Sequence, residues 1–193
     1  MHALRSIQPQ GPYHLLGWSL GGTLAQEMAV QLTHSGAEVG SVVMLDTLPP
    51  EMIPIRQSAP TPGELMLELG LPETGTDTPS VSLMTFEQAA REIRRRTHLE
   101  FITADLLEAA TARVEKLARM ASDHEPRHYA GRVDLAVAQK STGRDHDLAE
   151  RWSKRVATVR EHPVAAAHAE MLTSGVLPHV LRIIRRAEGP DST

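Results

Sequence analysis

Six residues near the start of the chain, Gly17-Trp18-Ser19-Leu20-Gly21-Gly22, restrict its fold more than any others. The apolar run Tyr13-His14-Leu15-Leu16 before them reads as a buried strand, and Thr23 to Leu32 after them carries apolar residues at helical spacing. A G-x-S-x-G between a strand and a helix specifies a turn sharp enough to push the serine hydroxyl clear of the sheet. Glycines two residues to either side are expected because a Cβ on either flank would crowd the turn. The helix that follows aims its free N–H groups at the same place, where negative charge can be held. The pattern predicts an exposed, nucleophilic Ser19, with the backbone N–H of Leu20 as an oxyanion donor.

The order of elements extends this into an α/β fold. Residues 2–8 read as the tail of a helix stopped by Pro9 and Gly11-Pro12. Val39 to Leu45 is a second buried strand ending at Asp46, so strand, helix and strand form a parallel βαβ unit with a right-handed crossover. From Leu48-Pro49-Pro50 the pattern changes. Residues 58–80 are a Pro/Gly/Thr-rich loop around a short helix at Gly63 to Leu69, followed by helices over Thr85 to Arg96 and Ala104 to Ala121. In the last of these Leu106, Leu107, Ala110, Val114, Leu117 and Ala121 form the expected apolar stripe. Residues 51–128 are therefore expected to be a helical lid laid over the strand ends. Val133 to Ala138 resumes the strands, Asp147 to Lys154 is a short helix carrying Trp152, and Val156 to Arg160 is a final strand. A histidine-bearing loop and an amphipathic helix over Val176 to Arg186 close the chain.

Composition removes several classes of function. Aromatics make up 3% of the 193 residues and formal net charge is −4, a poor endowment for stacking bases or attracting nucleic acid or anionic membrane. The basic cluster Arg91 to Arg96 is interrupted by Glu92 and Ile93 and reads as a solvated helix face; docking of an acidic carrier protein is the sharper alternative. Cysteine is absent, which excludes disulfides and thiolate metal sites and fits a reducing cytoplasm. The opening residues lack the apolar core of a signal peptide, and no apolar run approaches the roughly 20 residues that span a bilayer.

Ser19 needs a base, and the base needs an acid to hold its tautomer. His162 and His168 both follow or adjoin the last strand; His168 is favoured because a loop can carry it over the turn, whereas His162 abuts the strand ahead of Pro163. For the acid, Asp46 ends the strand after the elbow helix, while Asp145 and Asp147 follow the next strand. Strand C-terminal ends are where ligands gather in parallel sheets, so each position is allowed. Asp147 before Leu148-Ala149-Glu150 suits a helix cap, whereas Asp46 precedes no helix start, and Asp46 is preferred.

Residues Ile7 to Gly22, Leu45-Asp46-Thr47-Leu48-Pro49-Pro50, and the segment from His128-Tyr129-Ala130-Gly131 through Trp152 to His168-Ala169-Glu170-Met171-Leu172 resemble the chain-terminating thioesterase domains of non-ribosomal peptide synthetases. The match is dense over residues 5–51, looser over 127–187 and faint across the insertion, and its wording leans towards siderophore synthetases. The resemblance implies an α/β-hydrolase fold over residues 1–193 with a mostly parallel sheet and Asp46 as the acid. It also implies a substrate presented as an acyl or peptidyl thioester on the phosphopantetheine of a partner carrier protein, with no metal or bound cofactor. Two departures stand out. Ala166 and Ala167 occupy places before the histidine where the family commonly has glycine, and about twelve residues precede the elbow strand where the family has several strands. The earlier strands normally supply a second oxyanion donor, a group worth about 2.7–4 kcal/mol in the transition state. The sequence therefore implies an N-terminally shortened thioesterase domain acting by hydrolysis or cyclisation. The alternatives are a free-standing carboxylesterase and a catalytically incompetent hydrolase fragment with a carrier-binding or scaffold role.

Overall fold

A computed structural model describes residues 2–53, 59–68, 84–97, 100–141 and 147–189. It divides into two units, one formed by residues 1–53 and 124–193, the other by residues 54–123. Among the described residues, no helix is long and apolar enough to cross a membrane.

In the first unit, α1 (His2–Ile7) precedes β1 (Tyr13–Trp18), α2 (Leu20–His34) and β2 (Val39–Leu45). After the insertion come β3 (Tyr129–Ala138), α6 (Leu148–Ser153), β4 (Val156–Val164) and α7 (Leu177–Glu188). The four strands pair in the order β1-β2-β3-β4, all parallel. Both faces of the central strands are buried, which is why Val42 to Leu45 and Val133 to Ala138 are continuous apolar runs broken only by Asp134. On one face Val42, Met44, Leu135 and Val137 meet Ala25, Ala29 and Leu32 of α2 together with Trp152 of α6. On the other, Val43, Leu45, Ala136 and Ala138 meet Val180, Ile183 and Ala187 of α7.

Two strands run longer than their apolar runs predict. β3 begins at Tyr129 rather than Val133, with a register irregularity between Tyr129 and Arg132 where Gly131 interrupts the pattern. β4 continues through His162 and Pro163 to Val164. As the sheet's outer strand it keeps polar, largely exposed residues, and an edge tolerates a proline that a central strand would reject. Where the chain re-enters this unit, residues 124–127 are clamped to α2. The buried Gln26 amide donates to the Arg127 carbonyl at 2.7 Å, and Arg127 pairs with Glu27.

The second unit contains α3 (Pro62–Glu68), α4 (Phe86–Thr97) and α5 (Ala104–Ser122). Threonine starts all three. Thr61 and Glu64, and Thr85 and Gln88, exchange side-chain and backbone hydrogen bonds as capping boxes, and Thr103 accepts from Leu106 N–H at 3.2 Å. The apolar cluster of this unit joins Met66, Met84, Ala89, Ala90, Ile93 and Leu107. The buried side of α5 differs from the predicted stripe: Leu107, Thr111 and Ala121 are buried, while Leu106 and Leu117 are each 44% exposed and Ala110 is exposed. Thr111 lies on the inward face and satisfies its hydroxyl on the Glu108 carbonyl, so an apolar-only pattern misplaces the face by about one position. Within α4, Arg95 is paired with Glu92 and Arg94 donates to the Ile102 carbonyl. Much of the basic run thus bonds within its own unit. Most of the predicted 58–80 loop lies outside the described residues.

Candidate functional site

The turn between β1 and α2 carries Ser19 in a conformation that L-residues rarely adopt, φ 55° and ψ −127°. Its N–H is held by the Leu45 carbonyl at 2.9 Å, and its own carbonyl accepts from Gly22 N–H at 3.0 Å. The turn is therefore fixed by backbone bonds. Ser19 stands at the N-cap of α2, yet its hydroxyl makes no capping bond and stays available for other chemistry. Leu20 is the first helical residue, and its N–H is among those an α-helix leaves without an internal acceptor.

The flanking glycines play unequal parts. A Cβ at Gly17 would meet the Gly21 carbonyl oxygen at 2.0 Å, so that glycine is obligatory. A Cβ at Gly21 would meet nothing within 4 Å, contrary to the symmetric expectation from the motif. The close approach on the helix side belongs to Gly22, whose Cβ would sit 1.9 Å from Thr47 Oγ1. The second half of the motif thus lets α2 lie against the residue after Asp46.

Asp46 leaves the end of β2 with φ 45°. Ser19 and Asp46 are the only non-glycine residues with positive φ among those described, and such strain concentrates where surrounding structure enforces a function. Asp46 N–H donates to the Ala136 carbonyl at 2.7 Å, and Asp46 Oδ1 accepts from Ala138 N–H at 3.0 Å. Its side chain is fully buried, and Oδ2 lies 2.6 Å from His168 Nδ1. The following residue, Thr47, is anchored by the indole of the buried Trp152, whose Nε1–H donates to the Thr47 carbonyl at 2.9 Å.

His168 opens a short 3-10 turn, His168–Glu170, after β4. Ala167 before it has φ −84°, and Ala166 is not in the positive-φ region, so neither place needs glycine. Ala166 is instead a buried contact under α7. The His168 backbone N–H donates to Ser141 Oγ at 3.0 Å. Its ring stacks on Trp18, with centroids 5.2 Å apart and 29° between planes, and Trp18 Nε1–H donates to the His168 carbonyl at 3.2 Å. Ser19 follows Trp18 directly. The structure joins Asp46 to His168 and brings the ring of His168 against the residue beside Ser19, but Ser19 Oγ and His168 Nε2 are not hydrogen-bonded.

The alternatives fare differently. His162 is part of β4 and its Nε2 lies 2.7 Å from Asp134 Oδ1, so it already has a carboxylate partner within the sheet. Asp147 binds Arg151 at 2.8 Å and makes no side-chain cap to α6, contrary to the capping expectation. The Arg151 hydrogen bond holds its carboxyl below the ordinary range against a smaller opposing effect of burial. Asp145 lies outside the described residues. Trp18, Ser141 and Trp152 escape a reading that looks only for nucleophile, base and acid. Trp18 could have been found, since it occupies the variable place inside G-x-S-x-G.

Residues 1–187 match the family model described as thioesterase domain. The chain belongs to that family. This thioesterase domain is 42% identical over 92 residues, 48% of its length, to a dimodular nonribosomal peptide synthase of Bacillus subtilis (strain 168). It is 29% identical over 174 residues, 88% of its length, to vanchrobactin synthetase VabF of Vibrio anguillarum. The chain spans only 4% and 6% of those two synthetases. Among solved structures, it resembles the NocB thioesterase domain in covalent complex with a fluorophosphonate nocardicin G analog. That likeness has a TM-score of 0.64 and 26% identity, over 97% of this chain and 71% of the other. The parallel sheet flanked by helices is the α/β-hydrolase arrangement of these thioesterase domains.

Proposed function

We propose that this chain carries the chemistry of a serine thioesterase that releases a peptidyl or acyl chain from the phosphopantetheine arm of a carrier protein. Ser19 Oγ attacks the thioester carbonyl while His168 Nε2 takes the hydroxyl proton, and Asp46 holds Nδ1–H so that the imidazole presents the correct nitrogen. The Leu20 N–H donates to the oxyanion of the tetrahedral intermediate. Collapse breaks the C–S bond, the thiolate leaves on the carrier arm, and His168 returns the proton to it. Water, or a nucleophile within the acyl chain, then attacks the Ser19 ester and releases an acid or a ring. Every step uses groups of this chain and of the substrate, without a metal or bound cofactor.

One observation carries the reading: a strained serine whose hydroxyl caps nothing directly follows Trp18, which stacks on an imidazole hydrogen-bonded, 2.6 Å away, to a fully buried carboxylate. Three residues from three elements share one edge of the sheet, where parallel sheets place their ligands. Serine–histidine bonds in such sites often form only around substrate. The covalent fluorophosphonate analog on the NocB domain, and the multidomain synthetases among the relatives, support this class of nucleophile and of substrate. The leaning of the Ser19 and Asp46 segments towards siderophore synthetases suggests a siderophore peptide as the released chain.

The test is a fluorophosphonate probe followed by peptide mass mapping, with turnover of matched acyl thioesters and oxygen esters on and off a carrier protein. Mass added at Ser19 and a preference for carrier-bound thioester are expected. A folded chain that takes no label refutes the nucleophile, and equal or better turnover of free oxygen esters refutes the substrate class.

A further inference from the structure

We propose that Trp18 is a positioning residue for the base, setting where the His168 ring lies relative to Ser19; this rests on the roles proposed above. Asp46 holds one edge of the imidazole through Nδ1, and Ser141 holds the backbone N–H of the same residue. Neither fixes the ring's face. Trp18 does so by stacking at 5.2 Å between centroids, and the 3.2 Å bond from its indole N–H to the His168 carbonyl ties the indole to the backbone of the same residue.

The sequence makes this effective. Trp18 and Ser19 are consecutive, so the group that holds the base and the group that gives up the proton ride on one tight turn. The spacing between nucleophile and base is then set from the Ser19 side, by one peptide unit, as well as by the loop through Ala166 and Ala167. The indole has an electronic part too. When His168 takes the serine proton it becomes a cation lying over an aromatic face within about 6 Å, an attractive arrangement that the neutral ring does not enjoy to the same degree. Asp46 is the carboxylate on Nδ1, and Glu170, two residues further along, has its Oε2 engaged by Ala167 N–H at 2.8 Å. Trp18 adds no charge of its own.

Two readouts test the proposal, and one is independent of activity. The chain has two tryptophans, and Trp152 is buried with its indole N–H bonded to Thr47, giving a constant background. His168→Gln should alter the emission of the unmodified chain, because the imidazole no longer lies against the Trp18 indole, and the same substitution made in Trp18→Phe should leave the remaining Trp152 emission unchanged. In parallel, Trp18→Leu should slow fluorophosphonate labelling of Ser19 about tenfold, whereas Trp18→Phe, which keeps an aromatic face, should stay within about threefold. Circular dichroism confirms that each variant is folded. Emission that His168→Gln leaves unaltered, or labelling of folded Trp18→Leu at the unmodified rate, overturns the role of Trp18 and leaves Ser19 as nucleophile. An emission change on His168→Gln in a chain that takes no label removes the catalytic roles, and the positioning role with them.

Discussion

Asp46 with His168, and Asp134 with His162, are two contacts of the same kind: a buried carboxylate oxygen 2.6 or 2.7 Å from an imidazole nitrogen, on one parallel sheet. They differ in depth and in company. Asp134 lies within β3, in register with Val43, whereas Asp46 follows Leu45 at the end of β2. Asp134 also receives Arg132 at 3.1 Å and has Arg160 at 3.8 Å, so its charge is shared among three groups. Arg132 reaches on to the Ala187 carbonyl in the last turn of α7, which makes this cluster a fastening for that helix. His162 is 12% exposed and fixed in a strand; His168 is 25% exposed, on a short turn beside the elbow. An aspartate–histidine pair is thus no signature of catalysis by itself. Depth along the strand, cationic company and a stack on Trp18, next to a strained serine, separate the structural pair from the one proposed to react.

The largest expected effects break the comparison by treating both aspartates alike. Asp46→Asn should lower thioester turnover about 10³- to 10⁴-fold, as loss of the orienting acid does in triads generally, while Asp134→Asn should leave turnover within a few fold. Steady-state kinetics on one acyl thioester checks both, and equal losses would erase the distinction. Next comes stability. Asp134→Ala leaves the half-buried His162 without its carboxylate while Arg132 stays 41% exposed, and should cost about 1–3 kcal/mol in urea unfolding, the range for leaving a buried polar group unpaired. His162→Gln, which removes one of three partners, should cost about 1 kcal/mol and leave Ser19 labelling unchanged. A large loss of labelling in that variant would revive His162 as the base.

The smallest effect concerns a third carboxylate, which keeps acid sensitivity from being credited to the two pairs alone. Burial pushes the Glu27 carboxyl up, but hydrogen bonds from Arg127 and Gln31 and the charges of Arg127 and His124 outweigh it, so the net shift is downward. A depressed carboxylate adds stability that is complete above its ordinary titration range and is lost as pH falls through the lower folded value. Glu27→Gln should therefore lower Tm slightly at neutral pH and by progressively less in acid. A difference from the unmodified chain that stays constant with pH would show that the Glu27 contacts work through packing alone.

Much of this was legible in the residues. Gly17-x-Ser19-x-Gly21 between an apolar strand and a helix specifies the turn, and element order points to Asp46 and His168. What escaped detection had physical causes. Motif symmetry is not steric symmetry: a Cβ at Gly21 meets nothing, and Gly22 makes the close approach, to a residue 25 positions away. The extension of β4 through His162 was hidden because an edge strand needs no apolar run and accepts Pro163. Thr111 disguised the inward face of α5. The Trp18 stack was invisible because it depends on a partner 150 residues away, and sequence spacing carries no information about ring orientation.

The central claim is that Ser19 bears the acyl group, activated by His168 and Asp46. Rapid quenching after mixing with an acyl-phosphopantetheine thioester, followed by peptide mass analysis, tests it directly. The account predicts an acyl mass increment on Ser19 in the unmodified chain, and its absence in Ser19→Ala together with loss of turnover. Undiminished turnover by Ser19→Ala, or an acyl increment on a different residue, would contradict it.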